Sequence, residues 1–245
     1  MRHVWKFLAV MTLTAAGHAV AAEPVDMELI IAVDVSSSVD ENEYRLQMGG
    51  IAAAFRNPSV LDAIRSLGPG GLAVLVMQWS DNREQAPVTG WRVIRSAADA
   101  VAYARELREA PRAIPGGQTS IAGAIEFAMG QLATNGFEGN RRVIDVSGDG
   151  RANNGVHPMS LRDEAIEQGV TVNGLAILNE EPFLDDYFEH SVIGGAGAFL
   201  MVADDYRDFA ASIQQKLLRE IGLPIAIKAP PVRRTTAALR PFDTH

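Results

Sequence analysis

Asp34, Ser36 and Ser38 are the residues whose types and spacing could do chemistry in this chain. One carboxylate and two hydroxyls alternate along five residues, Asp34-Val35-Ser36-Ser37-Ser38, on a loop short enough to wrap a small object. Oxygen donors without nitrogen or sulfur suit a hard cation such as Mg²⁺, which takes octahedral geometry and keeps some of its water. Taken alone, three positions of common residues fit equally a strand-to-helix turn in which Ser36 and Ser38 satisfy backbone groups.

Two later stretches repeat the pattern. Gly116-Gly117-Gln118-Thr119-Ser120 precedes an amphipathic run of Ile121, Ala124, Ile125, Ala128, Met129 and Leu132. Its glycines allow close backbone approach, and Thr119 adds a hydroxyl. Val143-Ile144-Asp145-Val146-Ser147-Gly148-Asp149-Gly150 reads as a buried strand ending in an Asp-Gly turn, where Asp149 adds a second carboxylate. Gln118, Ser120, Arg151, Asn153 and Asn154 flank these donors and are expected to rim the site. Asp145, in strand register, reads as a supporting or buried hydrogen-bonded group. His157 reads as a solvated loop residue, and Trp79 and Trp91 as packing residues.

The elements that must position these loops are legible on either side. Leu29-Ile30-Ile31-Ala32-Val33 is a continuous apolar run, as in a strand buried on both faces, and Asp34 falls at its carboxyl end. Open α/β sheets place their ligands at that end. Asp40 and Glu43 have capping-box spacing ahead of a helical face of Tyr44, Met48, Ile51, Ala52 and Phe55. Leu75 to Trp79 predicts a second strand, with Asn57-Pro58 and Gly68-Pro69-Gly70-Gly71 as punctuation before it. Thr89 to Ile94 predicts a short strand folding back. Ser96 and Asp99 cap a helix bearing Val101, Ala104 and Leu107, and Ala165 and Ile166 lie on another helix. Thr171 to Ile177 and Ala198 to Val202 predict the last strands, and Phe209, Ile213, Leu217 and Ile221 the last helix. Strands alternating with helices predict a mostly parallel sheet covered on both faces.

Taken together, the chain resembles a von Willebrand factor type A domain with a metal-ion-dependent adhesion site, over roughly Asp26 to Ile221. The resemblance rests on the Asp-x-Ser-x-Ser loop, the Thr loop and the Asp loop. The stretch Val74-Leu75-Val76-Met77-Gln78-Trp79-Ser80 also resembles the family's second strand. It implies a doubly wound, Rossmann-like α/β fold of about six strands with one antiparallel edge. It also implies a divalent cation (Mg²⁺, or Mn²⁺ or Ca²⁺) on Asp34, Ser36, Ser38, Thr119 and Asp149, completed by a Glu or Asp of a partner protein. The expected function is then metal-dependent protein binding rather than catalysis. Within the family the chain is most similar to small exported bacterial members of undefined role.

Two rival readings carry less of the sequence. A Mg²⁺-dependent hydrolase or phosphatase would need a general base, and no His or Glu occupies a motif position. The Asp-x-Asp of dehalogenase-type phosphatases is broken by Ser36, and neither a Gly-x-Ser-x-Gly elbow nor a phosphate loop is present. The other rival is a structural subunit whose metal only orders the loops.

The 245 residues are 47% hydrophobic and 21% charged, which suits one domain with a sizeable core. Residues 1–22 read as a signal peptide: Arg2 and Lys6, an apolar stretch from Phe7 to Ala16, then Ala19-Val20-Ala21-Ala22. The stretch is too short to span a bilayer comfortably. A periplasmic or secreted protein is expected. Without cysteine it cannot be a lipoprotein and holds no disulfide. The net charge of −8 becomes −10 once Arg2 and Lys6 are removed, which disfavours nucleic acid or an anionic membrane as partner. Residues 23–222 form the expected domain. Residues 223–245 hold Pro224, Pro230, Pro231 and Pro241, with Lys228, Arg233, Arg234 and Arg240 against Asp243. This tail is expected to be extended or disordered, and to dock on an acidic face of this chain or a neighbour.

Overall fold

The computed structural model describes residues 21–222. The expected signal peptide, apart from Ala21 and Ala22, and the basic tail lie outside the described residues.

Seven strands form one sheet: β1 (Glu23–Asp34), β2 (Leu72–Trp79), β3 (Gln85–Pro87), β4 (Arg92–Ile94), β5 (Phe137–Gly148), β6 (Val170–Ile177) and β7 (Leu200–Ala203). The order is β3-β2-β1-β5-β6-β7, with β4 also pairing β2. The β1, β2, β5, β6 and β7 pairings are parallel, whereas β3 and β4 both run antiparallel to β2. The expected single antiparallel edge is therefore two short strands, and Thr89 to Trp91 form the connection rather than part of either. The helices are α1 (Glu41–Ala54), α2 (Pro58–Leu67), α3 (Ala97–Glu109), α4 (Ile121–Thr134), α5 (Pro158–Glu167), α6 (Leu184–Ser191) and α7 (Phe209–Gly222).

Period-two alternation divides the core. Leu29, Ile31 and Val33 of β1 face a layer built from α1, α2, α3 and α7, while Ile30 and Ala32 face α4, α5 and α6. Both faces of β1 are thus dry, which is why its sequence is a run rather than an alternation. The expected faces of α1, α4 and α7 are buried. On α3 the buried residues are Ala100, Tyr103, Ala104 and Leu107, whereas Val101 faces solvent. Asn57-Pro58 is not mere punctuation: Asn57 accepts a hydrogen bond from the Ser59 amide and caps α2, with Pro58 at its first turn.

Two devices set how α7 sits. Gly50 of α1 packs so closely that a Cβ there would lie 3.0 Å from the Ala210 Cα, so α1 and α7 touch almost backbone to backbone. Beneath α7, the Lys216 ammonium pairs with Asp145 of β5, with side chains 1% and 2% exposed. Asp145 is therefore buried in an ion pair away from the loop cluster, and does not support it. Beside this pair, Glu220 bonds Arg141 at 3.1 Å and accepts from Asn173. Burial, with Asp145 nearby, pushes the Glu220 carboxyl up to about 8 despite the two cations.

Candidate functional site

Asp34, Ser36, Ser38, Thr119 and Asp149 come to one end of the sheet, where β1 and β5 both finish. The β1–β5 register sets Val33 against Ser147, which brings Asp34 and the Asp149 turn side by side. Asp40 caps α1 by accepting from the Asn42 and Glu43 amides, and Glu43 closes the capping box, so the loop carrying the serines has a fixed exit.

Four of the five donors form one hydrogen-bonded cluster. Asp34 Oδ1 accepts from the Ser36 amide at 2.7 Å. Ser36 and Ser38 hydroxyls lie 3.1 Å apart, and Ser38 donates to Asp149 Oδ1 at 2.7 Å. Thr119 is brought in through backbone. Ser37 donates to the Gly117 carbonyl from both its amide and its hydroxyl at 2.9 Å, and Thr119 and Asn153 exchange bonds of 2.8 and 2.9 Å. Gly116 makes this approach possible, since a Cβ there would stand 3.0 Å from Arg112 and 3.3 Å from the Ser37 Cα. Among the described residues no hydrogen bond joins the Thr119 hydroxyl to the other four.

The electrostatics of the cluster are unbalanced. Asp34, Ser36, Thr119 and Asp149 are buried, and Asp34 Oδ2 has no hydrogen-bond partner. Burial, and then the charge of Asp149, push the Asp34 carboxyl up to about 7. Burial also raises Asp149. Two carboxylates and the Ser36 and Ser38 hydroxyls are linked in one network that leaves Asp34 Oδ2 without a partner, and that donor set fits one divalent, oxygen-seeking cation. Among the described residues no group of three or more His, Cys, Asp or Glu forms a cluster able to hold a metal, so any ion here must rely on the hydroxyls.

The flanking residues divide. Gln118, Arg151 and Asn153 are exposed and Asn154 is half-buried, with Asn154 donating to Gln118 across the rim. Ser120 does not belong to the rim. It is fully buried, because its hydroxyl accepts from the Gly123 amide as the cap of α4 and also donates to Asn82 at 3.3 Å. His157 is exposed and caps α5. Trp79 is fully buried in the core, and Trp91 packs against Phe137.

Two supporting residues escaped the sequence reading. Tyr206, on the β7–α7 connection, donates its hydroxyl to Asp149 Oδ2 at 3.0 Å, so a buried tyrosine holds the far side of that carboxylate. Burial and the nearby carboxylates raise its ionisation far above the ordinary value, leaving it a pure donor there. Arg112 threads under the first loop and donates to the carbonyls of Val35 at 2.5 Å, Val39 at 2.9 Å and Ser36 at 3.3 Å. Neither lies in a motif, and only the fold brings them in.

Residues 24–224 match the model of a family described as "Protein of unknown function (DUF1194)". The chain belongs to the DUF1194 family. No curated protein sequence matches it. Solved structures place the fold of this DUF1194 chain among von Willebrand factor type A domains. The proximal thread matrix protein 1 of the mussel byssus superposes with a TM-score of 0.56 at 15% identity, over 83% of this chain and 48% of that one. The von Willebrand domain of the type V pili tip protein Mfa5 from Porphyromonas gingivalis gives 0.57 at 12% identity, over 82% and 96%. The pilus adhesin SpaC from Lactobacillus rhamnosus GG gives 0.54 at 14%, over 82% and 31%. The DUF1194 chain spans about half the length of the byssus protein. Among its described residues no helix is long and apolar enough to cross a membrane.

Proposed function

We propose that this chain is an exported protein-binding module, for adhesion or assembly. In this reading Asp34, Ser36, Ser38, Thr119 and Asp149 hold a divalent cation (Mg²⁺, Mn²⁺ or Ca²⁺) that takes a Glu or Asp side chain of a partner protein as a further ligand. The observation that carries the reading is the buried juxtaposition of Asp34 and Asp149, with Ser38 donating to Asp149 and one Asp34 oxygen left without a partner. A cation held there by neutral hydroxyls and two carboxylates would be balanced in formal charge yet short of its full coordination number, leaving a position that an incoming carboxylate could fill in place of water. The chain's own residues do the rest. Arg112 pins the first loop by its carbonyls, Asn153 pins Thr119, and Tyr206 orients Asp149.

Relatives in fold lend support of a general kind. The byssus protein has been solved with a zinc-occupied MIDAS motif, Mfa5 is a pilus tip protein and SpaC a pilus adhesin. Export rests on residues 1–22, and the lack of a His or Glu at a motif position to serve as general base argues against hydrolysis. The test is a two-part titration. Calorimetry with Mg²⁺ and Mn²⁺ should register binding to the mature chain and none to Asp34→Ala. Capture from periplasm or secretome should then yield a partner that EDTA and Asp34→Ala both release. Metal binding with EDTA-insensitive capture would make the ion structural, and turnover of phosphate or ester substrates in Mg²⁺ would make the chain an enzyme.

A further inference from the structure

The acidic character of this end of the sheet extends beyond the five donors. Glu43 folds back over the first turn of α1 so that its Oε2 accepts from the Asp40 amide at 2.8 Å, which keeps the carboxylate at the helix start, beside the serine loop. The β6–α6 loop abuts the Asp149 turn, since a Cβ on Gly150 would lie 3.8 Å from Glu181 Oε1. From that loop the Asn179 amide donates to Glu43 at 3.4 Å and to Glu180 at 3.1 Å, so one side chain holds two carboxylates together. Both lie within charge reach of Asp149. Burial first, and the Glu180 charge after it, raise the Asp149 carboxyl; burial, then Asp40, Asp149 and Glu180, raise Glu43.

No cation of the chain answers these two groups. Among the described residues neither Glu43 nor Glu180 forms an ion pair. The guanidiniums of Arg151 and Arg112 are committed elsewhere, the first to Glu181 at 2.9 Å and the second to the carbonyls of the first loop. On the Thr119 side the rim is neutral: Asn153 is tied to Thr119, and Asn154 to Gln118. The face is thus asymmetric, with amides on one flank and two uncompensated carboxylates on the other.

A divalent cation balances Asp34 and Asp149 and leaves Glu43 and Glu180 over. A ligand offering only a carboxylate adds a further like charge within reach of both, whereas a ligand with a basic group beside its carboxylate brings its own compensation. We propose that the partner's recognition segment is an Asp or Glu with a Lys or Arg within two positions of it, the carboxylate completing the cation's coordination and the basic group seated between Glu43 and Glu180. The proposal rests on the metal-binding reading above. Two residues of extended chain span about 7 Å, and the stem of a Lys or Arg reaches further. Glu180 is exposed and Glu43 half-buried, and pairs of that kind are worth up to about fivefold each in affinity, so the basic group should contribute roughly three- to tenfold.

The test pans the mature chain in Mg²⁺ against a random linear peptide library displayed on phage, with elution by EDTA. Eluted clones should carry Asp or Glu with a neighbouring Lys or Arg well above the frequency in the starting library. The Glu43→Gln, Glu180→Gln double variant keeps the capping-box acceptor and should still elute acidic motifs, with the basic excess gone. A synthetic peptide of the leading motif should bind wild type roughly three- to tenfold more tightly than the same peptide with glycine for its basic residue, a margin that shrinks in high salt and vanishes in the double variant. Calorimetry should register one Mg²⁺ per chain in both proteins. EDTA-eluted acidic motifs without a basic excess, or an excess that survives in the double variant, overturn the proposal and leave the metal reading standing. A second Mg²⁺ that the double variant loses would make the two glutamates metal ligands and overturn it as well. No EDTA-eluted clones from a chain that binds Mg²⁺ removes the proposal together with the partner carboxylate, and failure of Mg²⁺ itself to bind removes the metal reading.

Discussion

Asp34→Asn should stabilise the metal-free protein while destroying its response to metal. Asp34 is fully buried beside Asp149, and its carboxyl is pushed from 3.8 to about 7, first by burial and then by its neighbour's charge. A folded-state pKa raised above the unfolded one means the native state prefers the protonated group. The associated stability is present below the unfolded value and is lost as pH rises through about 7. At pH 8 a displacement of this size amounts to something on the order of 4 kcal/mol held against the fold, of which solvation and relaxation in the metal-free protein leave a part to be recovered. Asparagine keeps the Oδ1 acceptor for the Ser36 amide at 2.7 Å and puts a neutral donor where Oδ2 has no partner. In EDTA at pH 8 the variant should gain on the order of 2–3 kcal/mol in urea denaturation, or roughly 4–12 °C in Tm for a chain of this size. At pH 5 the gain should shrink. Saturating Mg²⁺ should raise wild-type Tm and leave the variant's where it was. A variant less stable than wild type in EDTA at pH 8, or a gain unchanged at pH 5, would refute the reasoning.

Other perturbations probe the supports. Tyr206→Phe removes only the hydroxyl on Asp149, and should weaken Mg²⁺ or Mn²⁺ binding by roughly 10–100-fold in calorimetry with little change in the circular dichroism spectrum. Lys216→Met leaves Asp145 buried and unpaired, and should cost about 3–5 kcal/mol in denaturant titration. Lys216→Met with Asp145→Leu should recover most of that loss, and a double variant no better than the single would contradict it. Arg112→Ala frees three carbonyls of the first loop and should lower both metal affinity and the hydrogen-exchange protection of the Val39 amide, read by mass spectrometry.

Much of this architecture could be read from residue pattern because local and tertiary demands coincide. The Leu29 to Val33 run needs two dry faces, and it has them. Asp40 with Glu43 and Ser96 with Asp99 satisfy helix starts with side chains adjacent in sequence, so spacing alone exposed them. The meeting of Asp34, Ser36, Ser38 and Asp149 was legible because all four sit at strand ends on one sheet edge. What stayed hidden depends on distant partners. Tyr206 looks like any aromatic until β7 sets it beside Asp149, and Lys216 looks like a surface lysine until α7 turns it toward Asp145. Ser120 matched the rim by proximity, but a helix start draws its hydroxyl inward. α6 was missed because Phe183 at its start provides no side-chain cap and its first turn is polar.

The bonds that shape the loop cluster span long stretches of chain. Ser38 to Asp149 closes 111 residues, Arg112 to Val35 closes 77 and Tyr206 to Asp149 closes 57. Contacts so distant in sequence carry the loop-closure cost of nearly the whole topology, so the cluster assembles late, after β1, β5 and the β7–α7 connection are in place. Ion capture would then report completed folding: a nascent or truncated chain ending before Tyr206 would display every donor residue and still lack the geometry to use them.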